Sequence, residues 1–208
     1  MKKTFRYFIY SLIILLTFAI GNAIYADISI EDLKNEYANE QSQFIEVNEM
    51  DVHYRDEGEG FPIVLIHGTA ASLHTWDDWT EELKKTNRVI RMDLPAFGIT
   101  GPNKNADYSL QAYTDFLNSF IDKLKLEKFH LAGNSLGGNI AWNYAADYPQ
   151  KVEKLILVDA SGLPTNKQPP SIFKMAKNPL LKTLFLYVTP KMLIKKNIEE
   201  VYASTRHY

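Results

Sequence analysis

Four short apolar runs mark out the middle of the chain, and glycine or aspartate follows each within two residues. Ile63-Val64-Leu65-Ile66 contains no polar residue at all. A strand of that kind has both faces covered, as inside a parallel sheet. Arg88 to Met92, Lys128 to Ala132 and Lys154 to Val158 read the same way. Between these runs the period changes. Leu110, Tyr113, Leu117, Phe120, Ile121 and Leu124 recur at helical spacing after Ser109, whose hydroxyl can accept from the first free N–H groups of a helix. Ala71 to Lys85 is a second helical stretch, with Trp76, Trp79 and Leu83 along one face and the tryptophans read as core. Leu136 to Tyr148 is a third, stopped before Pro149. Phe44 to Val47 and Met50 to Arg55 predict two strands around a turn at Asn48-Glu49. Strands alternating with helices predict an α/β domain: a mainly parallel sheet with flanking helices.

The two ends have a different texture. Lys2, Lys3 and Arg6 precede an apolar run from Tyr7 to Ile20, which Gly21-Asn22 interrupts before Ala23 to Ala26. A basic start ahead of such a run fits a secretory signal. Counted through Ala26, it is also near the length of a membrane span. Residues 1–26 are therefore read as a membrane anchor or a signal peptide. The leading positive charges place the remainder of the chain outside the cytoplasm, anchored by one span or, after cleavage, secreted. Residues 27–43 are polar and helix-compatible, and read as a linker. Residues 44–161 hold the strands and helices above. From 162 to 208, Pro164, Pro169-Pro170, Pro179 and Pro190 punctuate short apolar, Lys-rich segments without strand signal. These read as a helical lid.

The 208 residues can bury one sizeable core. A net charge of −2 offers no electrostatic footprint for nucleic acid. The absence of cysteine excludes disulfides, thiolate metal sites and a cysteine nucleophile. No cofactor or metal is implied, and the expected partner is a small-molecule substrate.

The stretch with chemical content is Gly133-Asn134-Ser135-Leu136-Gly137, backed by Gly138. It matches G-x-S-x-G between a strand and a helix, the context in which that pattern forms a nucleophile elbow. Ser135 would sit at the tip of a very sharp turn. Side chains two residues to either side would clash there, and glycine at 133 and 137 removes them. The turn exposes the hydroxyl and aims the Leu136 N–H at the point where an oxyanion would form.

Together with two further blocks, this stretch resembles the α/β-hydrolase fold family from about Phe44 to Tyr208. Ile63-Val64-Leu65-Ile66-His67-Gly68 is similar to the family's strand ending in His-Gly. Asp93-Leu94-Pro95-Ala96-Phe97-Gly98 is similar to its D-x-P-G-x-G loop, with Ala96 where glycine is commoner. The resemblance implies Ser135 as nucleophile. It implies the N–H groups of Leu136 and of Thr69, or else Ala70, as oxyanion donors, and Gly133 and Gly137 as the elbow glycines. It implies a lidded serine hydrolase acting on a small ester or related carbonyl substrate; the family includes esterases and carbon–carbon bond hydrolases, and a perhydrolase-like activity would use the same groups. Serine at 135 argues against the haloalkane dehalogenases and related epoxide hydrolases, which use aspartate.

In this family the order is serine, then an acid, then histidine. Only 73 residues follow Ser135, and the lid occupies most of them. The expectation is that the catalytic acid and histidine are missing from this chain, which breaks off within the lid. The alternative reading is a catalytically inactive fragment or a non-enzymatic binding protein. His207, at the chain end, is the only histidine after Ser135. His67 reads as a structural loop residue, His53, His74 and His130 as hairpin, helix-start and strand residues, Asp93 as a turn residue, and Asp159 as a strand-end aspartate. The strand ending at Asp159 would be an apolar sheet edge, which favours aggregation.

Overall fold

The computed structural model describes residues 2–21 and 28–163, with single positions at Asn178 and Lys195. Two compact units are present, one of residues 28–164 and one holding the two chain ends. The lid expected over 162–208 and His207 lie outside the described residues, apart from Gly162, Leu163 and the two single positions.

In the second unit, α1 (Lys2–Gly21) is a 20-residue helix. No helix among the described residues is long and apolar enough to cross a membrane, so the expected anchor span is not met. Lys3 and Arg6 occupy the first turns, and within the described range Lys2–Gly21 the apolar run starts only at Tyr7. That leaves less than the ~20 apolar residues a span requires.

The larger unit is built on a mixed, mostly parallel sheet, β1 (Gln43–Val47), β2 (Met50–Glu57), β3 (Phe61–Ile66), β4 (Asn87–Met92), β5 (Phe129–Asn134) and β6 (Val152–Val158). The spatial order is β1-β2-β4-β3-β5-β6. β1 and β2 form a hairpin across Val47 and Met50. Its two turn residues, Asn48 and Glu49, both have positive φ, the geometry that matches the twist of a two-residue hairpin. β2 also runs antiparallel to β4, whereas β4, β3, β5 and β6 are mutually parallel. β2 extends to Glu57 because Asp56 and Glu57 still pair with Ile90 and Val89, and Arg88 clamps Asp56 with two nitrogens.

Side chains alternate across this sheet as a pleated strand dictates. Val64 and Ile66, with Ile90, Met92 and Leu131, face α4 (Leu110–Lys123) and α5 (Leu136–Asp147). Phe116, Leu117, Phe120, Ile140 and Tyr144 complete that core layer. Ile63, Leu65, Val89 and Ala132 face the other way, onto Trp76. The uninterrupted apolar run of β3 is thus covered on both faces. Ser109 accepts from Ala112 N at 3.2 Å and caps α4.

Two sequence expectations shift. Residues 27–43 contain a helix, α2 (Ile30–Tyr37), capped by Ser29. The stretch 71–85 splits into a 3-10 turn (Leu73–Trp76) and α3 (Asp77–Leu83). The change of pitch puts Thr80 inside, its hydroxyl donating to Trp76 O at 2.8 Å. Trp79 is left 49% exposed, edge-on to Trp76, so only Trp76 of that pair belongs to the core.

Candidate active site

Three loops converge at the carboxyl ends of the parallel strands. The first joins β5 to α5. Ser135 stands alone between them at φ 51° and ψ −112°, a conformation that costs a non-glycine residue on the order of 1–3 kcal/mol. Its backbone is pinned on both sides. Ser135 N donates to Val158 O at 3.0 Å, and Ser135 O accepts from Asn139 N and Ser161 N, both at 3.0 Å. The Ser161 hydroxyl adds a third donor at 3.1 Å.

The glycines are there because nothing else fits. A Cβ at Gly133 would overlap the backbone of Gly137, and one at Gly137 would overlap the carbonyls of Ile66 and His67. A Cβ at Gly138 would lie 2.6 Å from that of Ala160. The N-terminus of α5 therefore sits directly on the end of β3. Because both obstacles at Gly137 are backbone, neither can rotate away. Gly137→Ala is expected to cost about 3 kcal/mol, read as a lowered denaturant midpoint.

The second loop is His67-Gly68-Thr69-Ala70, at the end of β3. A Cβ at Gly68 would lie 2.9 Å from Asn134 Oδ1 and 3.1 Å from Ser135 Cβ, so this loop runs alongside the elbow. Ala70 takes the left-handed conformation at φ 56°. Thr69 is exposed and Leu136 half-buried. The fully buried His67 ring spans the loop base. Its Nδ1 bonds to Gly68 O at 2.7 Å, and its Nε2 to Leu94 N at 3.0 Å. Leu94 N–H can only donate, so Nε2 accepts and the ring is neutral. Burial holds this imidazole below its ordinary pKa. With both nitrogens committed, His67 is a tie between loops.

The third loop is Asp93-Leu94-Pro95-Ala96-Phe97-Gly98. Asp93 accepts from Leu73 N at 2.8 Å through Oδ1. Its Oδ2 takes Ile99 N at 3.0 Å and His53 Nδ1 at 2.8 Å. Burial pushes this carboxyl up, and the His53, Leu73 and Ile99 donors outweigh it, so it titrates below its ordinary range. Gly98, at φ 53°, leaves room that the Asp93 carboxylate fills. Ala96 adopts a positive φ of 68° where the family pattern favours glycine.

The structure brings Ser135, Leu136, Gly133, Gly137 and the Thr69 loop to one place. Among the described residues, no imidazole bonds to the Ser135 hydroxyl. His130 lies on β5 against the Phe61 ring, at the far end of the strand. His74 bonds to Asp77 at 3.0 Å. Asp159 follows β6 directly, with φ 45°. Sequence reasoning missed the buried contact of His53 with Asp93. Only the antiparallel pairing of β2 with β4, in which Asp93 N donates to His53 O at 2.9 Å, makes them neighbours.

Comparison with known proteins agrees with this fold. A family model described as alpha/beta hydrolase fold matches residues 62–184. The chain is 35% identical over 111 residues to 2-hydroxymuconate semialdehyde hydrolase of Pseudomonas sp. (strain CF600), covering 52% of this chain and 39% of that protein. It is 31% identical over 176 residues to 2-hydroxy-6-oxononadienedioate/2-hydroxy-6-oxononatrienedioate hydrolase of Comamonas testosteroni, covering 77% of this chain and 58% of that one. Among solved structures, a membrane phospholipase A, described as a bacterial virulence factor, superposes with a TM-score of 0.62 at 27% identity, over 84% of this chain and 59% of that one. The chain thus spans about two to three fifths of the length of these relatives.

Proposed function

The chain belongs to the α/β-hydrolase fold family, and from that premise we propose a serine hydrolase acting on a small carboxylic ester or related carbonyl substrate, with Ser135 as nucleophile. The observation that carries this reading is the backbone of Ser135. A serine is held at φ 51° between a strand and a helix, by four hydrogen bonds and three glycines that admit no Cβ. Strain maintained at such cost is spent on exposing one hydroxyl.

In this proposal Ser135 Oγ attacks the carbonyl carbon. The N–H groups of Leu136 and Thr69 hold the oxyanion, which is usually the largest single contribution to such a reaction. The serine proton must pass to a histidine that a carboxylate orients; among the described residues no imidazole bonds to the Ser135 hydroxyl. The names of the relatives, hydrolases of a semialdehyde and of oxo-dienedioates, support a small carbonyl substrate, and the phospholipase supports ester hydrolysis. Attack on either kind of carbonyl forms such an oxyanion. The basic start and apolar run of residues 1–26 support export of the domain.

The test is labelling of the native protein with a fluorophosphonate, followed by peptide mapping. The expected result is modification of Ser135. An unmodified Ser135 in folded protein would favour the inactive or purely binding reading.

A further inference from the structure

We propose that Ser42, His53 and Asp93 form a second activated-serine site, distinct from the elbow, able to accept an acyl group from a small apolar ester. The proposal does not depend on Ser135. It rests on a chain of two short contacts. Ser42 Oγ lies 2.8 Å from His53 Nε2, and His53 Nδ1 lies 2.8 Å from Asp93 Oδ2. These are the distances and the atom pairing by which a serine is activated by a base that a third group orients.

The protonation states come from the partners. Asp93 already accepts from two backbone N–H groups, so as a carboxylate it can only accept from His53 as well. His53 then carries a proton on Nδ1, and in the neutral ring Nε2 is an acceptor facing the Ser42 hydroxyl. The His53 ring is 1% exposed and lies against the Phe44 ring with centroids 5.2 Å apart, so its orientation is fixed. Asn39 N donates to Ser42 Oγ at 3.1 Å. The hydroxyl proton has two acceptors within reach, His53 Nε2 at 2.8 Å and Asn39 Oδ1 at 3.4 Å, and the contact with His53 is the shorter. Ser42 itself is only half-buried, in the turn before β1.

A cavity adjoins the imidazole, with Ser42 hydrogen-bonded to the ring and outside the cavity lining. This cavity of about 470 Å³ is lined by His53 and Asp93 together with Leu33, Tyr37, Ser72 and Ile99. Its mostly apolar lining suits a short acyl chain. In the reaction, Ser42 Oγ bonds to the ester carbonyl carbon while its proton passes to His53 Nε2. The bond from carbon to the alcohol oxygen then breaks, and that proton leaves with the alcohol. The product is an ester of Ser42. A structural latch would need only one hydrogen bond from Ser42; the proton-accepting tautomer of a buried histidine is the further requirement of a nucleophile.

The experiment uses the full chain with Ser135→Ala, which removes the elbow serine. A fluorophosphonate probe would bond Ser42 Oγ to phosphorus and expel fluoride, with the proton on His53. The expected result is a label on the Ser42 peptide, absent after heat denaturation and absent in the Ser42→Ala, Ser135→Ala protein. His53→Gln keeps an acceptor for the hydroxyl but cannot take up the proton, and should slow labelling at least about tenfold in protein shown by circular dichroism to be folded. An unlabelled Ser42 in folded protein, or equal labelling with His53→Gln, overturns the proposal. If His53→Gln does not fold, the Ser135→Ala protein alone decides. Labelling of Ser135 in the unsubstituted protein is scored separately, so the two sites stand or fall independently.

Discussion

Ser135→Ala is expected to lower kcat on a small carboxylic ester by on the order of 10⁴-fold or more in the native protein, with little change in stability. The size of the loss comes from the role. Without the hydroxyl no acyl-enzyme forms, and only binding and oxyanion stabilisation remain, a remnant of catalysis worth roughly 10³–10⁴ over water in enzymes of this type. The stability expectation comes from the contacts. The hydrogen bonds that hold Ser135 in place run through its backbone N and O, which alanine keeps. Alanine at φ 51° bears the same strain as serine. Unfolding free energies of the two proteins should therefore agree within about 0.5 kcal/mol, the range of an uncoupled substitution. The decisive pair of measurements is ester turnover and denaturant midpoint on the same preparations. Unchanged turnover would remove Ser135 from the mechanism; a collapsed midpoint would show that the hydroxyl is structural.

This site could be read before any coordinates because its constraint is local. A strand, a tight turn and a helix within a dozen residues leave a mark at fixed spacing, and the glycines at 133 and 137 are that mark. The blocks at His67 and Asp93 are legible for the same reason, each being a strand and the loop that leaves it. The contact between His53 and Asp93 is different in kind. The two residues are 40 apart and meet only because β2 turns back antiparallel to β4, a register no local pattern announces. Trp79 shows a third case. Its spacing from Trp76 and Leu83 fits one helical face, but the first turn is 3-10, with three residues per turn, and the face rotates at Asp77 so that Thr80 enters the core. At the N-terminus, the described helix carries Lys3 and Arg6 in its first turns, so its apolar part falls short of the length that counting hydropathy through Ala26 suggests.

Asp93→Ala is expected to destabilise the larger unit by about 3–5 kcal/mol, because the carboxylate is the common acceptor of three buried donors and its removal strands all of them. Those donors belong to the turn before α3, the loop after β4 and strand β2, so the substitution loosens three segments at once. Asp93→Asn should cost less, since an amide keeps the volume and one acceptor. The two variants also differ from the wild type in pH dependence. Asp93 titrates below its ordinary range in the folded state. A carboxyl depressed on folding gives stability that is complete above its unfolded pKa, near 4, and is lost as pH falls through the lower folded value. His67 acts in the same direction over a higher window. Its folded pKa is depressed by burial, so its share of stability is complete above about 6.5, the unfolded value, and declines as pH falls below that. Denaturant unfolding of the wild type from pH 7 to 3 should show two losses, a first beginning near pH 6 and a second below pH 4. In Asp93→Asn the first should persist and the second shrink to the share of the other carboxyls held down on folding, chiefly Asp77 beside His74 and Arg91, bringing the two curves closer at the acid end. Parallel curves over the whole range would mean that Asp93 is not held as a carboxylate by the three donors, and the anchoring of His53 on which the second serine site depends would lose its basis.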